Sequence, residues 1–147
     1  MPRTRVAIIG LGMAVGPHAK SLVDLKDKAE VAWAMSPTQA RREAFARNFP
    51  FPTTGDLDQV VGDRSVDALL VLTPPNTHLE IVRKAASAGK HVLLEKPLDV
   101  NTERATAIVA ACDKAGVKLG AVLQHRFRPA SLRVKQVLRE GRLGRIA

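Results

Sequence analysis

The sequence predicts a doubly wound α/β fold, in which a parallel sheet carries helices on both of its faces. Short apolar runs rich in β-branched residues alternate with longer amphipathic stretches, the pattern of repeated strand–helix–strand units. The first run, at residues 6–9, passes directly into a glycine turn. Polar residues recur where the predicted strands end, and folds of this Rossmann-like class bind their ligand at that edge of the sheet.

The expected elements alternate along the whole chain. Strands are assigned to the apolar runs, which gives residues 6–10, 30–35, 66–72, 91–95 and 118–123, with a short extended piece at 51–54. Prolines after the segments 30–35 and 66–72 mark helix starts, and Gly89 and Gly116 mark helix ends, because glycine takes the left-handed conformation there without strain. Helices are therefore expected at residues 15–26, 39–48, 56–61, 77–88, 101–115 and 131–139.

Length and composition favour one soluble globular unit. The 147 residues are 46% hydrophobic and 25% charged, which is enough for a substantial core. Cys112 is the only cysteine, so we expect a small core residue in a reducing compartment and no disulfide within the chain. The apolar start is interrupted by glycines, unlike a signal peptide, and no stretch is long enough to cross a membrane. The expected location is the cytoplasm.

The formal net charge of +9 raises the question of nucleic-acid binding. Most of that charge lies in residues 126–147, which contain seven basic residues and one acidic residue. A groove for DNA or RNA would normally interleave aromatic side chains, whereas Phe127 is the only aromatic residue in this stretch and tyrosine is absent from the chain. We therefore expect no nucleic-acid partner, and the basic stretch should face a partner surface or another domain.

The glycine turn has the form of a dinucleotide-binding loop. Gly10 permits the tight turn, and Gly12 lets the backbone approach a pyrophosphate without a Cβ in the way. The N–H groups that follow, at Met13 and Ala14, should face the anion with the positive end of the helix dipole behind them. Val15 stands where the motif has glycine or alanine, so a turn that is tight for structural reasons alone stays an alternative.

Three segments together resemble the Gfo/Idh/MocA oxidoreductases, and the resemblance spans nearly the whole chain. These segments are the glycine turn with His18, Thr73-Pro74-Pro75-Asn76-x-His78, and Glu95-Lys96-Pro97. The resemblance implies an N-terminal NAD(P)-binding Rossmann domain of an enzyme that transfers hydride to or from a CH–OH group of a sugar, an inositol or a related polyol. It implies no metal.

By this resemblance, Lys96 is the catalytic residue and lies beside both the nicotinamide and the reacting carbon. An ammonium there would stabilise a developing alkoxide. The alternative is an exposed lysine before a turn-making Pro97. Glu95 should orient Lys96 or contact the nicotinamide ribose, unless it forms an edge salt bridge.

The remaining cofactor contacts are also implied by the resemblance. Thr73, Pro74 and Asn76 should line the phosphate–ribose side of the cofactor, although Asn76 could instead be the N-cap of its helix. Each of the histidines His18 and His78 is either a ligand contact or a packing or capping residue. The nicotinamide end should also be approached by His125 and Arg126.

The end of the second strand departs from NAD-dependent enzymes. The acidic residue that would grip the adenosine ribose is replaced by Ser36, with Arg41 and Arg42 following on the next helix. A hydroxyl would accept a 2′-phosphate and an arginine would pair with it, so the sequence favours NADP over NAD. The arginines could instead form the solvated face of their helix.

The resemblance also implies a second domain that this chain does not contain. Residues 1–125 would be the NAD(P)-binding domain, and residues 126–147 would be a basic helix and the lead-in to a C-terminal substrate domain. In the family, that domain supplies substrate contacts, a catalytic histidine and usually the homo-oligomer interface. The chain is then a piece of a longer protein or a naturally short one. It should bind dinucleotide with little catalysis, and a non-catalytic dinucleotide sensor is the alternative.

Overall fold

Six parallel strands form one sheet in the computed structural model, which describes residues 2–145. The strands are β1 (Thr4–Ile9), β2 (Ala29–Met35), β3 (Thr53–Thr54), β4 (Ala68–Val71), β5 (His91–Glu95) and β6 (Leu119–Val122). The spatial order is β3-β2-β1-β4-β5-β6, so the direction of winding reverses between β1 and β4. This order confirms the predicted fold class and places a crevice at the carboxyl ends of β1 and β4.

The helices lie between the strands close to the expected positions. The helices are α1 (Val15–Asp24), α2 (Gln39–Ala46), α3 (Leu57–Gly62), α4 (His78–Ser87), α5 (Thr102–Ala115) and α6 (Pro129–Arg139). Two short 3₁₀ turns, Pro75–Thr77 and Gln124–Phe127, come directly before α4 and α6, where the sequence predicts loop or the start of a helix. Local capping explains two helix starts, because the side chains of Asp56 and Asn101 accept hydrogen bonds from the first-turn N–H groups that follow them.

Alternating side chains of the central strands build a core on each face of the sheet. On one face, Ile8 packs with α1 and α2 through residues such as Ala19 and Phe45. On the other, Ala7 and Ile9 pack with α3, α4 and α5, whose buried residues include Cys112. The strand β4 and residues 6–9 of β1 are therefore apolar throughout, which is why these runs carry no alternating pattern.

The strand β5 is covered on one face only. In β5 the side chains of Val92 and Leu94 are buried, whereas Leu93 is 44% exposed on the other face. No residue of α6 is buried. Exposed apolar residues line a groove between the end of β6 and α6, and we call them the open face: Ala121, Leu123, Phe127, Leu132.

Two further expectations concern the C-terminal residues and membrane-spanning helices. The proposed lead-in to a further strand falls partly on Ile146 and Ala147, which lie outside the described residues. Within residues 2–145, no helix has both the length and the apolar character that a membrane span requires.

Candidate functional site

The carboxyl ends of four neighbouring strands meet at one rim of the sheet. The strand register places Met35, Ile9, Val71 and Leu94 level with one another across β2, β1, β4 and β5. The loops that leave these strands carry the glycine turn, Ser36, Thr73 and Lys96. Lys96 and the glycine turn therefore lie on the same edge of the sheet.

The glycine turn is held tightly against the end of β4. Gly10 has a φ of 101°, and its N–H donates to the carbonyl of Met35 at 2.9 Å. A Cβ on Gly10 would lie 2.9 Å from the Thr73 Cγ2 and 3.0 Å from the Leu72 carbonyl carbon. A Cβ on Gly12 would meet nothing within 4 Å. Gly10 is thus required by the turn itself, while Gly12 leaves open space above it.

The N-terminus of α1 is free of any side-chain cap from residues 2–145. Its first turn contains no acidic residue. The first-turn N–H groups have no carbonyl partner within a helix, and the dipole adds a partial positive charge at this end. Met13 is fully exposed just before the helix. These features, beside the open space at Gly12, fit the pyrophosphate of a dinucleotide.

Two cavities flank this helix terminus and share Ala14 in their walls. The first cavity has a volume of about 560 Å³ and reaches across the ends of β1, β2 and β4. The second cavity has a volume of about 390 Å³ and lies toward β5 and β6, with Glu95 and Gln124 in its wall. The polar and turn residues that line the first cavity are Gly10, Gly12, Met13, Ala14, Ser36, Arg41, Thr73, Pro74 and Thr77.

Beyond the end of β2, the two arginines of α2 make different contacts. Arg42 donates to the Ser36 carbonyl at 2.6 Å and fills the space beside Gly55, so its guanidinium is engaged in the fold. Arg41 is exposed and lines the first cavity. Ser36 is only 1% exposed, and its hydroxyl oxygen accepts from the Thr38 N–H at 3.3 Å. Arg41 is therefore the better placed of these groups to meet a charged ligand.

The Glu95 carboxylate is oriented by two neighbours at the wall of the second cavity. One oxygen lies 3.2 Å from the His18 Nε2, and the other accepts from the backbone N–H of Lys96 at 2.6 Å. The Lys96 side chain is exposed at the rim, before the cis peptide bond to Pro97. The carboxylate thus holds the Lys96 backbone and links it to α1. His18, a residue left open by the sequence, lines this cavity.

In the segment after β4, Asn76 and His78 do not have the positions that the sequence suggested. Asn76 is exposed and lies inside a 3₁₀ turn, and the N-cap of α4 is Thr77, so the capping alternative for Asn76 is wrong. His78 has no exposed surface and does not line the cavity. Its Nε2 lies 2.8 Å from the Thr73 carbonyl oxygen and its Nδ1 lies 3.1 Å from the Leu98 carbonyl oxygen. These contacts favour the packing alternative for His78.

Sequence reasoning missed an ion pair behind this segment, between the buried Asp99 and the partly exposed Arg104. The Asp99 carboxylate accepts from the Arg104 Nε at 2.7 Å and from the N–H groups of Leu79 and Val100. Burial alone would raise the pKa of Asp99, but these hydrogen bonds and the Arg104 charge outweigh it and lower the pKa from its ordinary value. Arg104 also donates to the Asn76 carbonyl at 3.0 Å. The pair joins α5 to the segments that follow β4 and β5.

Arg126 and His125 lie apart from these two cavities. They line a separate groove of about 520 Å³ between the end of β6 and α6, together with Phe127 and Lys135. The structure thus brings the glycine turn, Arg41, Thr73 and Pro74 together but leaves Arg126 outside that group. Among residues 2–145, no group of three or more potential ligand side chains is arranged to hold a metal ion.

A family model described as the oxidoreductase family, NAD-binding Rossmann fold, matches residues 4–122. The chain belongs to this family, Gfo/Idh/MocA. A relative in Bacillus subtilis, scyllo-inositol 2-dehydrogenase (NAD(+)), is 31% identical over 97% of this chain and 42% of its own length. D-xylose 1-dehydrogenase (NADP(+)) 2 of Haloferax volcanii is 34% identical over 89% of this chain and 41% of its own length.

Solved structures share the fold closely. The WlbA dehydrogenase from Bordetella pertussis, solved in complex with NADH and UDP-GlcNAcA, is 29% identical with a TM-score of 0.93. The match covers 99% of this chain and 44% of that one. The present chain thus spans less than half the length of the relatives named here.

Proposed function

We propose that this chain is the dinucleotide-binding part of an NAD(P)-dependent dehydrogenase acting on a CH–OH group of a sugar, an inositol or a related polyol. The observation that carries the proposal is the pair of cavities that meet at Ala14 beside the uncapped N-terminus of α1. Together they run from Arg41 at one end to Glu95 and the Lys96 backbone at the other. A dinucleotide has the matching form, with two nucleoside ends and a pyrophosphate between them.

Different residues of the chain would bind different parts of the cofactor. The pyrophosphate would lie over Gly12 and the N–H groups of Met13 and Ala14, where the helix terminus favours an anion. The adenosine would occupy the first cavity, with Ser36, Thr73 and Pro74 in its wall. We place Asn76 at the rim and Arg126 outside this contact set.

The exposed Arg41 supports a preference for NADP. A guanidinium pairs strongly with a phosphate, and no carboxylate lines this cavity to repel one. Relatives named for NAD(+) and for NADP(+) both occur, so the choice depends on local residues of this kind.

Lys96 supplies the acid–base chemistry in this proposal. The bound nicotinamide provides a carbon that accepts or donates hydride. The Lys96 ammonium stabilises the substrate oxygen as charge develops on it and exchanges a proton with that oxygen. Glu95 holds the Lys96 backbone through its N–H, so the carboxylate orients the lysine.

The rest of the active site would come from a further domain, by analogy with relatives more than twice as long as this chain. Residues 1–125 then form the dinucleotide-binding unit, and residues 126–147 lead toward the substrate domain. Hydride transfer requires two carbons held at close distance, and this chain offers only one wall of that arrangement. We therefore expect it to bind dinucleotide with little turnover by itself.

Calorimetric titration of the chain with NADPH and with NADH tests the proposal. We expect saturable binding of one dinucleotide, with NADPH bound more tightly. Lys96→Ala should leave both affinities within about twofold, because the side chain is exposed at the rim, and should lower turnover of the intact enzyme by about a hundredfold or more. Absence of binding to either dinucleotide would refute the proposed function. Equal losses of affinity and turnover in Lys96→Ala would refute the role given to that residue.

A further inference from the structure

His18 lies near the start of α1, and its side chain contacts the end of β5. Its Nε2 lies 3.2 Å from the Glu95 Oε1, although the two residues are 77 positions apart in the chain. Both side chains are only partly exposed, at 20% and 15%, and both line the second cavity. The contact therefore joins the helix whose N-terminus faces the proposed pyrophosphate site to the strand that leads into Lys96.

The two oxygens of the Glu95 carboxylate have different donors. Oε1 faces the His18 Nε2, and Oε2 accepts from the Lys96 N–H at 2.6 Å. A carboxylate only accepts hydrogen bonds, so the first contact needs an N–H on Nε2, which the neutral ring and the imidazolium both supply. The contact thus assigns no charge to the ring. Donors from two separate elements fix the plane of the carboxylate, whereas the Lys96 N–H alone would connect it only to the residue that follows it.

Apolar packing does little to hold this face of β5. Leu93 lies two residues before Glu95, so both side chains are on the same face of the strand. Leu93 is 44% exposed, which leaves much of this face uncovered. The position of the loop after β5 relative to α1 therefore depends on polar contacts, and the His18–Glu95 hydrogen bond is such a contact.

We propose that His18 is a positioning residue, which acts through Glu95 to hold the Lys96 loop at a fixed position relative to the N-terminus of α1. The helix that binds the pyrophosphate then also sets the position of the lysine, so the bound dinucleotide and the Lys96 ammonium are aligned by one element. This role in the reaction rests on the proposed function. The hold of His18 on the Lys96 loop is a property of the chain itself and is measured without cofactor.

Hydrogen exchange of the Lys96 amide, followed by nitrogen-15 NMR, tests this hold in the full chain without ligand. His18→Leu removes the donor, whereas His18→Gln keeps an N–H near the position of Nε2. We expect exchange at Lys96 to become roughly tenfold faster in His18→Leu and to stay within about twofold of wild type in His18→Gln. His91→Leu is the matched control, because it removes an exposed histidine from the opposite end of the same strand and should leave the Lys96 amide unchanged. Unchanged exchange at Lys96 in His18→Leu would overturn the proposal.

A double-mutant cycle in the intact enzyme tests the action on Lys96. We expect His18→Leu to lower kcat roughly tenfold, while the affinity of the chain for NADPH stays within about twofold of wild type. His18→Gln should restore most of the lost kcat. In a Lys96→Ala background, His18→Leu should cause less than about a twofold further loss, because the group on which it acts is gone. A similar loss in both backgrounds would show that His18 acts independently of the lysine and would refute the positioning role.

The outcomes separate this inference from the proposed function. If the wild-type chain binds no dinucleotide, the proposed function fails and the role in the reaction fails with it, whereas the exchange rates at Lys96 still decide whether His18 holds the loop. If His18→Leu lowers the melting temperature while exchange at Lys96 and kcat stay at their wild-type values, the residue is merely structural and the proposal is refuted. If His18→Leu does not fold, His18→Asn, whose shorter amide ends before Glu95, replaces it with the same expectations.

Discussion

The two halves of the sheet are held together by different kinds of contact. In the half formed by β1–β3 with α1 and α2, the outer layer closes over an aromatic cluster in which Phe45 lies 5.0 Å from Phe49 and 6.2 Å from Phe51 between ring centroids. In the half formed by β4–β6 with α4 and α5, buried polar groups join the loops at the rim, namely His78 and the Asp99–Arg104 pair. In the first half, which we call the apolar half, apolar packing shapes the pocket. In the second, the polar half, hydrogen bonds and an ion pair fix the positions of the loops that hold the proposed reactive residues.

The junction of the halves should be the most sensitive point. Gly10→Ala places a Cβ against the backbone of Leu72 and Thr73 and forces a residue with a side chain into a φ of 101°. We expect the free energy of unfolding to fall by about 3 kcal/mol, measured by urea denaturation.

Gly12→Ala is the matched control for this change. Its Cβ meets open space in the absence of ligand, so the free energy of unfolding should stay within about 0.5 kcal/mol while dinucleotide affinity falls. Equal destabilisation by both variants would show that the turn is not braced against β4.

The polar half should depend on its buried carboxylate. Asp99→Asn removes the charge that Arg104 pairs with and weakens three hydrogen bonds, so we expect a loss of about 2 kcal/mol in unfolding free energy. The exposed Glu80→Gln, which removes a carboxylate from a surface pair, should cost almost nothing. If the two variants are equally stable, the polar half is held by apolar packing after all.

The apolar half should determine the choice of cofactor. Arg41→Ala removes the guanidinium from the first cavity, so NADPH affinity should fall roughly tenfold while NADH affinity changes little. Arg47→Ala, an exposed arginine just after the same helix, is the control for the loss of surface charge. A matching loss for both dinucleotides would place Arg41 away from the 2′-phosphate.

The smallest expected effect concerns acid stability. Hydrogen bonds from the Ser65 hydroxyl, the Trp33 indole N–H and the Ser65 N–H lower the pKa of Asp63 from 3.8 to about 2. Because the folded-state pKa is depressed, this stability is present above about pH 4 and is lost as the pH falls toward about 2.

Fluorescence of Trp33, the single tryptophan, should report this loss, and Asp63→Asn should reduce the dependence on pH over that range. An unchanged acid profile in Asp63→Asn would remove Asp63 from this account.

Sequence reasoning predicted what depends on local pattern. The strand and helix order, the glycine turn and the helix end at Gly116 follow from apolar runs and backbone preferences, and the structure confirms them. The sequence left open which of Arg41 and Arg42 faces the cavity. The answer depends on Gly55, in another segment, because this glycine leaves room for the Arg42 guanidinium.

The polar contacts between loops lay beyond prediction for the same reason. His78 meets carbonyls five residues before it and twenty residues after it, and a carbonyl has no sequence signature. The Asp99–Arg104 pair had a partial signal, an acidic residue just before a helix cap and a basic residue in the first turn of that helix. Burial of the pair depends on how α4 and α5 pack together, which pattern alone does not specify.

The open face has a consequence for handling the protein in solution. Its apolar side chains favour contact between molecules, while the net charge of +9 keeps molecules apart. Salt screens the repulsion and leaves the apolar attraction in place, so concentrated samples should cluster as ionic strength rises and disperse again on dilution into low salt.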